Sequence, residues 1–160
     1  RSSNPADCAG GVAMKRGLIL LIMGVASALA WPVLAMDYRT VDTVAVLYDA
    51  PSLRGAKLFV IKRDTPVELV VNLEGWSKVR DAEGGLAWIE KKHLAERRTV
   101  IVTAARAEVR QKPEDGASLV FEADKKVSLD FLEVIPGGWV KVRHRDGQSG
   151  FVRANQVWGI

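Results

Sequence analysis

The sequence of 160 residues contains a single cysteine and only two histidines. Cys8 precedes the first long apolar run, whereas the lipid-bearing cysteine of a lipoprotein follows such a run. We therefore place Cys8 outside the mature chain, which then has no disulfide, no thiolate metal site and no cysteine nucleophile. His93 and His144 lack the spacing of metal ligands and occupy non-equivalent positions, so we predict no metal site.

The sequence also lacks the residue combinations of common catalytic sites. No Ser-His-Asp or Cys-His set can be assembled from it. Asp81, Glu83 and Asp146 stand in glycine-containing turns, where such residues are favoured for local hydrogen bonding. The Gly84-Gly85 pair precedes no helix that would hold a phosphate group. We therefore expect a protein without enzymatic activity and without a cofactor.

Positive and negative charges are nearly balanced in the sequence. The formal net charge is +4 for the whole sequence. After residue 35 it falls to +2, from 20 basic and 18 acidic residues, because the leader carries Arg1, Lys15 and Arg16 against Asp7. This balance gives no reason to expect a nucleic-acid partner.

One apolar run lies near the amino terminus, and it is shorter than a membrane span. Lys15 and Arg16 precede GLILLIMGVASALA, a run of 14 residues, and the following WPVLA ends with small residues at Val33 and Ala35. A spanning helix needs ~20 apolar residues. The layout is typical of a secretory signal peptide, Met14–Ala35, preceded by residues 1–13 that we exclude from the fold.

The signal peptide predicts an exported protein. We expect cleavage after Ala35; cleavage after Ala30 is the alternative, and it would leave Trp31 and Pro32 at the new terminus. A retained membrane anchor is the less favoured interpretation because of the short run. We predict a periplasmic protein that contacts the membrane only if its signal peptide stays uncleaved.

Two segments of the remaining sequence repeat each other. GWSKVRDAEGGLAWI, residues 75–89, returns as GWVKVRHRDGQSGFV, residues 138–152. With an offset of 62 to 63, equivalent residues include Pro51 and Pro113, Trp76 and Trp139, Gly84 and Gly147, Trp88 and Phe151, and Leu94 and Val157. A register held over so many bulky and turn positions indicates an internal duplication. We predict domains at 40–95 and 99–160, which abut because their join lacks Pro and Gly.

The local patterns predict β-structure. Apolar or alternating segments favour strands at residues 44–48, 57–61, 65–73, 76–80 and 86–89. A glycine-containing turn separates the last two, so the repeated stretch is a β-hairpin. No segment after residue 35 has a helical period. We therefore predict an all-β fold with one small barrel in each copy.

The motif G-W-x-K-V-R, followed by a Gly turn and [WF]-[VI], resembles the C-terminal half of a bacterial SH3 domain. LYDAPSLRGAKLF opens the first copy and GFVRANQVWG closes the second, an arrangement similar to exported tandem SH3-like proteins of the Gram-negative cell envelope. The resemblance covers residues 40–159 and implies two SH3-like barrels of five to six strands. Family members are usually noncatalytic modules that recognise peptidoglycan, its stem peptides or proteins.

AVLYDAP, residues 45–51, is also similar to the ALYDY opening of eukaryotic SH3 domains, which hold polyproline II ligands between paired aromatic residues. Only Tyr48 matches an aromatic position of that site, and its counterpart in the second copy is Arg110. The acidic loop cluster is also missing. A site for proline-rich peptides is therefore not favoured.

The resemblance and the aromatic hairpins suggest one set of ligand contacts. The candidates are Tyr48, Asp49, Trp76, Trp88, Arg110, Trp139 and Phe151. In a groove, aromatic rings stack on sugars or grip apolar side chains; core packing is the alternative for at least one member of each aromatic pair. The flanking Lys and Arg residues either contact acidic stem peptides or form a solvated face. Our hypothesis is a noncatalytic module that binds peptidoglycan or an envelope protein; the alternative is a structural scaffold of an envelope complex.

Overall fold

The computed structural model describes residues 36–160. The predicted signal peptide, Met14–Ala35, lies outside the described residues, as do residues 1–13. From residue 36 onwards the chain folds into strands, turns and two 3-10 turns, with no α-helix. None of its described helical segments has the length and hydropathy needed to cross a membrane.

Seven strands build the first unit. In chain order they are β1 (Tyr38–Val41), β2 (Ala45–Tyr48), β3 (Lys57–Ile61), β4 (Pro66–Asn72), β5 (Trp76–Arg80), β6 (Leu86–Glu90) and β7 (Leu94–Ala95). The 3-10 turn Lys91–His93 precedes β7. The strands form one antiparallel sheet in the order β3-β2-β6-β5-β4-β1-β7.

The second unit repeats this arrangement. Its strands are β8 (Thr99–Val102), β9 (Arg106–Arg110), β10 (Leu119–Asp124), β11 (Ser128–Ile135), β12 (Trp139–Arg143), β13 (Ser149–Arg153) and β14 (Val157–Trp158). The 3-10 turn Ala154–Gln156 precedes β14. The sheet order, β10-β9-β13-β12-β11-β8-β14, is that of the first unit strand for strand. The predicted all-β duplication is thus confirmed.

Each sheet curls around one apolar core. The first core comprises Val41, Ala45, Leu47, Ile61, Val67, Val79, Ala87 and Ile89. Edge strand β3 contributes Ile61 to the same cluster as Ile89 of β6 near the sheet centre, so the sheet closes over its inner face as a small barrel. The second core comprises Val100, Val102, Ala107, Val109, Ala123, Leu129, Val140, Val142, Val152 and Val157. Burial of these alternating apolar side chains is the main source of stability in each barrel.

The resemblance implied five to six strands in each barrel, and the structure has seven. The additional pairing comes from the residues after each 3-10 turn. Thr40 of β1 faces Ala95 of β7, and Val157 of β14 faces Val102 of β8. Each two-residue strand therefore fastens the end of a unit to its own beginning.

The two units are in contact, as the short join between them predicts. The buried hydroxyls of Thr40 and Thr99 lie 3.0 Å apart, and the Thr99 hydroxyl donates to the Asp64 carbonyl at 3.0 Å. Tyr38 of β1 packs edge-on against Trp158 of β14, with ring centroids 5.1 Å apart. The contact between the units is therefore built from specific polar and aromatic pairs.

Candidate functional site

Three aromatic residues of the first unit share one surface. Tyr48 of β2 lies opposite Trp88 of β6 in the sheet, and its ring meets Trp76 edge-on at 5.5 Å. Tyr48 is buried, at 8% exposure, whereas both tryptophans are half-buried. The ammonium group of Lys78, opposite Trp88 in the register, lies 6.0 Å from the centre of its ring. We call Tyr48, Trp76, Lys78 and Trp88 the first aromatic patch.

Asp49 follows Tyr48 directly and shapes the loop that leaves β2. Its Oδ1 atom accepts a hydrogen bond from the backbone N–H of Ala56 at 2.8 Å. A methyl group on Gly55 would come within 2.8 Å of the same carboxylate oxygen, so the loop closes around a residue without a side chain. The structure thus gives Asp49 a loop-forming role beside the patch, and its ligand contact stays a prediction.

The equivalent surface of the second unit has a different composition. Arg110 faces Phe151 in the register, as Tyr48 faces Trp88 in the first unit. The Arg110 guanidinium donates to the Ala117 carbonyl at 2.7 Å and pairs with Glu108. Phe151 is half-buried, and the Lys141 ammonium group lies 5.9 Å from its ring centre. We call Arg110, Lys141 and Phe151 the second aromatic patch.

Trp139 belongs to the packed body of the second unit. It is 4% exposed, and the Arg153 guanidinium lies 4.2 Å from its ring centre. Arg153 is held there by Asp115, whose Oδ1 accepts from its Nε at 3.0 Å. That hydrogen bond lowers the pKa of Asp115 below its usual 3.8. Any ligand contact by Trp139 would require Arg153 to move, so Trp139 follows the core-packing alternative.

The structure therefore brings the candidates together in two groups. Tyr48, Trp76 and Trp88 form one contiguous group with Asp49 at its margin, and Arg110 and Phe151 form the other. The two groups occupy equivalent places in the two units.

The sequence interpretation missed a cleft between the units. This inter-unit cleft has a volume of ≈ 780 Å³. Its charged lining residues are Lys62, Arg63, Asp64, Arg97, Lys126, Asp130 and Arg145. In the sequence, Asp64 and Lys126 are equivalent at an offset of 62. In the structure both adopt left-handed turns, with φ of 67° and 70°.

Both histidines have local partners. His93 Nδ1 lies 2.8 Å from the Thr43 hydroxyl, and His144 Nδ1 lies 2.8 Å from Asp146 Oδ1. The His144 hydrogen bond lowers the pKa of the Asp146 carboxyl. Between residues 36 and 160, no group of three or more potential ligands is placed to hold a metal ion.

Comparison with known proteins gives a family match in each unit. The sequence matches the bacterial SH3 domain over residues 41–96 and again over residues 103–159. No protein of curated function is significantly similar to the chain.

Similar solved structures include longer proteins. NlpC2 of Trichomonas vaginalis is 15% identical with a TM-score of 0.37, and the match covers 79% of this chain and 49% of NlpC2. NlpC1 of the same organism is 16% identical with a TM-score of 0.37, over 79% of this chain and 46% of NlpC1. An NlpC/P60 family protein of Bacillus cereus is 16% identical with a TM-score of 0.35, over 76% of this chain and 55% of that protein. The chain thus spans about half the length of these proteins.

Proposed function

Because the chain belongs to the bacterial SH3 domain family, with one domain in each unit, we propose that it is a noncatalytic binding module of the periplasm. Its ligand is peptidoglycan, contacted through the sugar or stem-peptide portions, or a protein of the cell envelope. The export signal predicted at Met14–Ala35 supports the proposed location.

The repeated pairing of a half-exposed aromatic ring with a lysine carries this proposal. Trp88 with Lys78 in the first unit recurs as Phe151 with Lys141 in the second, each on adjacent strands of the sheet. A half-exposed ring offers apolar area whose burial by a ligand contributes about 25 cal/mol per Å². The neighbouring ammonium group would pair with a carboxylate on the same ligand, which in the second unit would replace the Glu133 carboxylate 3.3 Å from Lys141. Sugar rings linked to acidic peptides present both kinds of group.

Co-sedimentation of the mature chain with purified sacculi tests the proposal. We expect the wild-type chain to sediment with the wall, and Trp88→Ala to reduce the bound fraction strongly. Leu53→Ala is the matched control, because Leu53 is an exposed apolar residue outside both patches. Wild-type binding no greater than that of an unrelated protein would contradict the proposal. Thermal melting of each variant separates lost contact from lost folding.

A second proposed function is that of a structural scaffold, and edge strand β3 favours it. Leu58, Phe59 and Val60 are all exposed, at 48%, 43% and 61%, on a strand paired only with β2. An exposed apolar edge is a template for an added strand from a partner protein. A scaffold predicts a crosslinked partner that remains after wall digestion and is lost in Val60→Lys. If no crosslinked partner is found while sacculi bind, the scaffold role is rejected.

A further inference from the structure

Two equivalent turns, one from each unit, line the inter-unit cleft. Residues 62–65 lead into β4 of the first unit, and residues 126–127 lead into β11 of the second. Both turns belong to the same place in the repeat, and the orientation of the two barrels brings them to one cleft. The linker adds Arg97 to its lining.

The cleft holds more positive charge than the described chain has in total. Five basic side chains and two carboxylates line it, giving a net charge of +3. The 20 basic and 18 acidic residues after residue 35 give a net charge of only +2. The rest of that surface is therefore close to neutral, and the positive potential is concentrated in the cleft.

The two carboxylates of the cleft already have a basic partner. Arg97 pairs with Asp64 of the first unit and lies 3.4 Å from Asp130 of the second. Lys126 lies 3.0 Å from Glu83, an exposed residue of the first unit's hairpin turn. Within residues 36–160, Lys62 and Arg145 form no ion pair. These two side chains are therefore available to a bound anion.

The uncharged part of the lining limits the kind of anion. Val44 is exposed at the cleft and Val127 is half-buried there, beside the hydroxyls of Thr65 and Ser128. These groups suit small aliphatic side chains and backbone amides. Asp64 and Asp130 disfavour a dense polyanion, such as a phosphate polymer, because its many charges would come close to both carboxylates.

We propose that the inter-unit cleft binds a short wall-type peptide whose carboxylates are separated by small aliphatic side chains. Lys62 and Arg145 pair with its carboxylates, and Val44 and Val127 contact its aliphatic groups. This site is distinct from the two aromatic patches; the assignment of the peptide to the wall rests on the proposed function.

Isothermal titration of the mature chain with the synthetic peptide Ala-Glu-Ala-Glu-Ala tests the charge chemistry. We expect saturable binding that weakens as salt is raised. The double variant Lys62→Gln/Arg145→Gln should weaken it at least about tenfold, the effect of losing roughly 1.4 kcal/mol. The double variant Arg54→Gln/Lys57→Gln is the matched control, since it removes the same charge from exposed positions outside the cleft. Equal weakening in both double variants, or no binding by the wild type, would contradict the assignment of the peptide site to the cleft.

Two competition titrations distinguish carboxylate peptides from phosphate polymers as ligands. Peptides released from digested sacculi should displace the synthetic peptide, whereas inorganic polyphosphate should displace it poorly. Displacement by polyphosphate alone overturns the carboxylate assignment, and failure of the wall peptides to compete overturns the wall assignment in favour of an acidic protein segment. These titrations use soluble peptides and test the cleft, whereas the sacculus experiment tests the aromatic patch through Trp88. The two proposals can therefore fail independently. Unchanged melting temperatures would show that the exposed substitutions leave the fold intact.

Discussion

At the scale of single residues, equivalent tryptophans of the repeat have different environments. Trp76 pairs with Glu90 across the hairpin, whereas Trp139 pairs with Arg153, which covers its ring. The sequence correctly aligned Trp76 with Trp139. It did not reveal the covering contact, because that depends on a loop residue, Asp115, far along the chain from Arg153.

This difference predicts unequal costs of truncation. Trp139→Ala should lower the free energy of unfolding by ~3–5 kcal/mol, because it empties a packed site. Trp76→Ala should cost less, ~2 kcal/mol, since part of that ring is already in contact with water. Urea denaturation measures both losses. Equal losses, or a larger one for Trp76→Ala, would contradict the assignment of Trp139 to the packed body.

The contact of the Arg153 guanidinium with the Trp139 ring should weaken in acid. The hydrogen bond from Arg153 depresses the folded-state pKa of Asp115 below 3.8, so its contribution to stability is present above pH 3.8 and is lost as the pH falls through the lower, folded-state value. NMR titration should show the Trp139 indole signal moving with the Asp115 carboxyl carbon. Asp115→Asn should abolish this movement.

Asp146→Asn supplies the control for this titration, because Asp146 also has a lowered pKa but its partner is His144. It should leave the Trp139 movement unchanged. A Trp139 signal that moves equally in Asp115→Asn would mean that another titrating group controls the contact between Arg153 and Trp139.

At the scale of elements, the repeated hairpin was the most predictable part of the fold. Its alternation and its glycine turns match β5–β6 and β12–β13 closely. Strand β1 begins at Tyr38 and was not predicted, because its sequence YRTV is neither an apolar run nor an alternation of apolar and polar residues. Its pairing with β4 and β7 comes from contacts distant in sequence.

The close approach of β13 to its sheet neighbour β9 predicts a position at which the residues of the two copies cannot be exchanged. A methyl group on Gly150 would lie 2.6 Å from the Arg110 carbonyl oxygen and 2.7 Å from Val109 Cγ1. Gly150→Ala should therefore destabilise the chain by ~1–3 kcal/mol through overpacking. The equivalent residue of β6 is Ala87, which is buried and accommodates its methyl group.

Ala87→Gly is the reciprocal test for that position. It should cost ~1–2 kcal/mol, from the greater flexibility of glycine and the loss of one buried methyl group. Thermal melting of both variants gives the comparison. A Gly150→Ala protein as stable as the wild type would show that β9 yields without strain.

At the scale of the whole molecule, the duplication predicted two units and the short join predicted their contact, but neither predicted the surfaces that meet. The junction depends on hydroxyl pairs and on turns whose residues differ between the copies. Asp64 and Lys126 are equivalent in the repeat yet opposite in charge. A sequence repeat indicates which residues correspond, whereas which of them meet depends on how the barrels are oriented.

The threonine pair of the junction should couple the two units. Thr99→Val leaves the buried Thr40 hydroxyl and the Asp64 carbonyl without their partner and should cost ~1–3 kcal/mol. Thr40→Val/Thr99→Val should cost less than the sum of the single variants, because the shared hydrogen bond is counted once. Thr43→Val, at an exposed position, is the control. Additive losses measured by denaturation would mean that the two hydroxyls act independently.

The residues that close this junction come from distant parts of the described chain. Gly159 packs on Pro66, its carbonyl accepts from Arg98 at 2.9 Å, and a methyl group on it would come within 2.9 Å of the Thr99 carbonyl oxygen. On a ribosome the amino-terminal barrel emerges long before its neighbour is complete. The junction between the barrels therefore cannot form completely until Gly159 has emerged. A stalled or truncated chain would expose the contact surface of a first barrel that has otherwise folded.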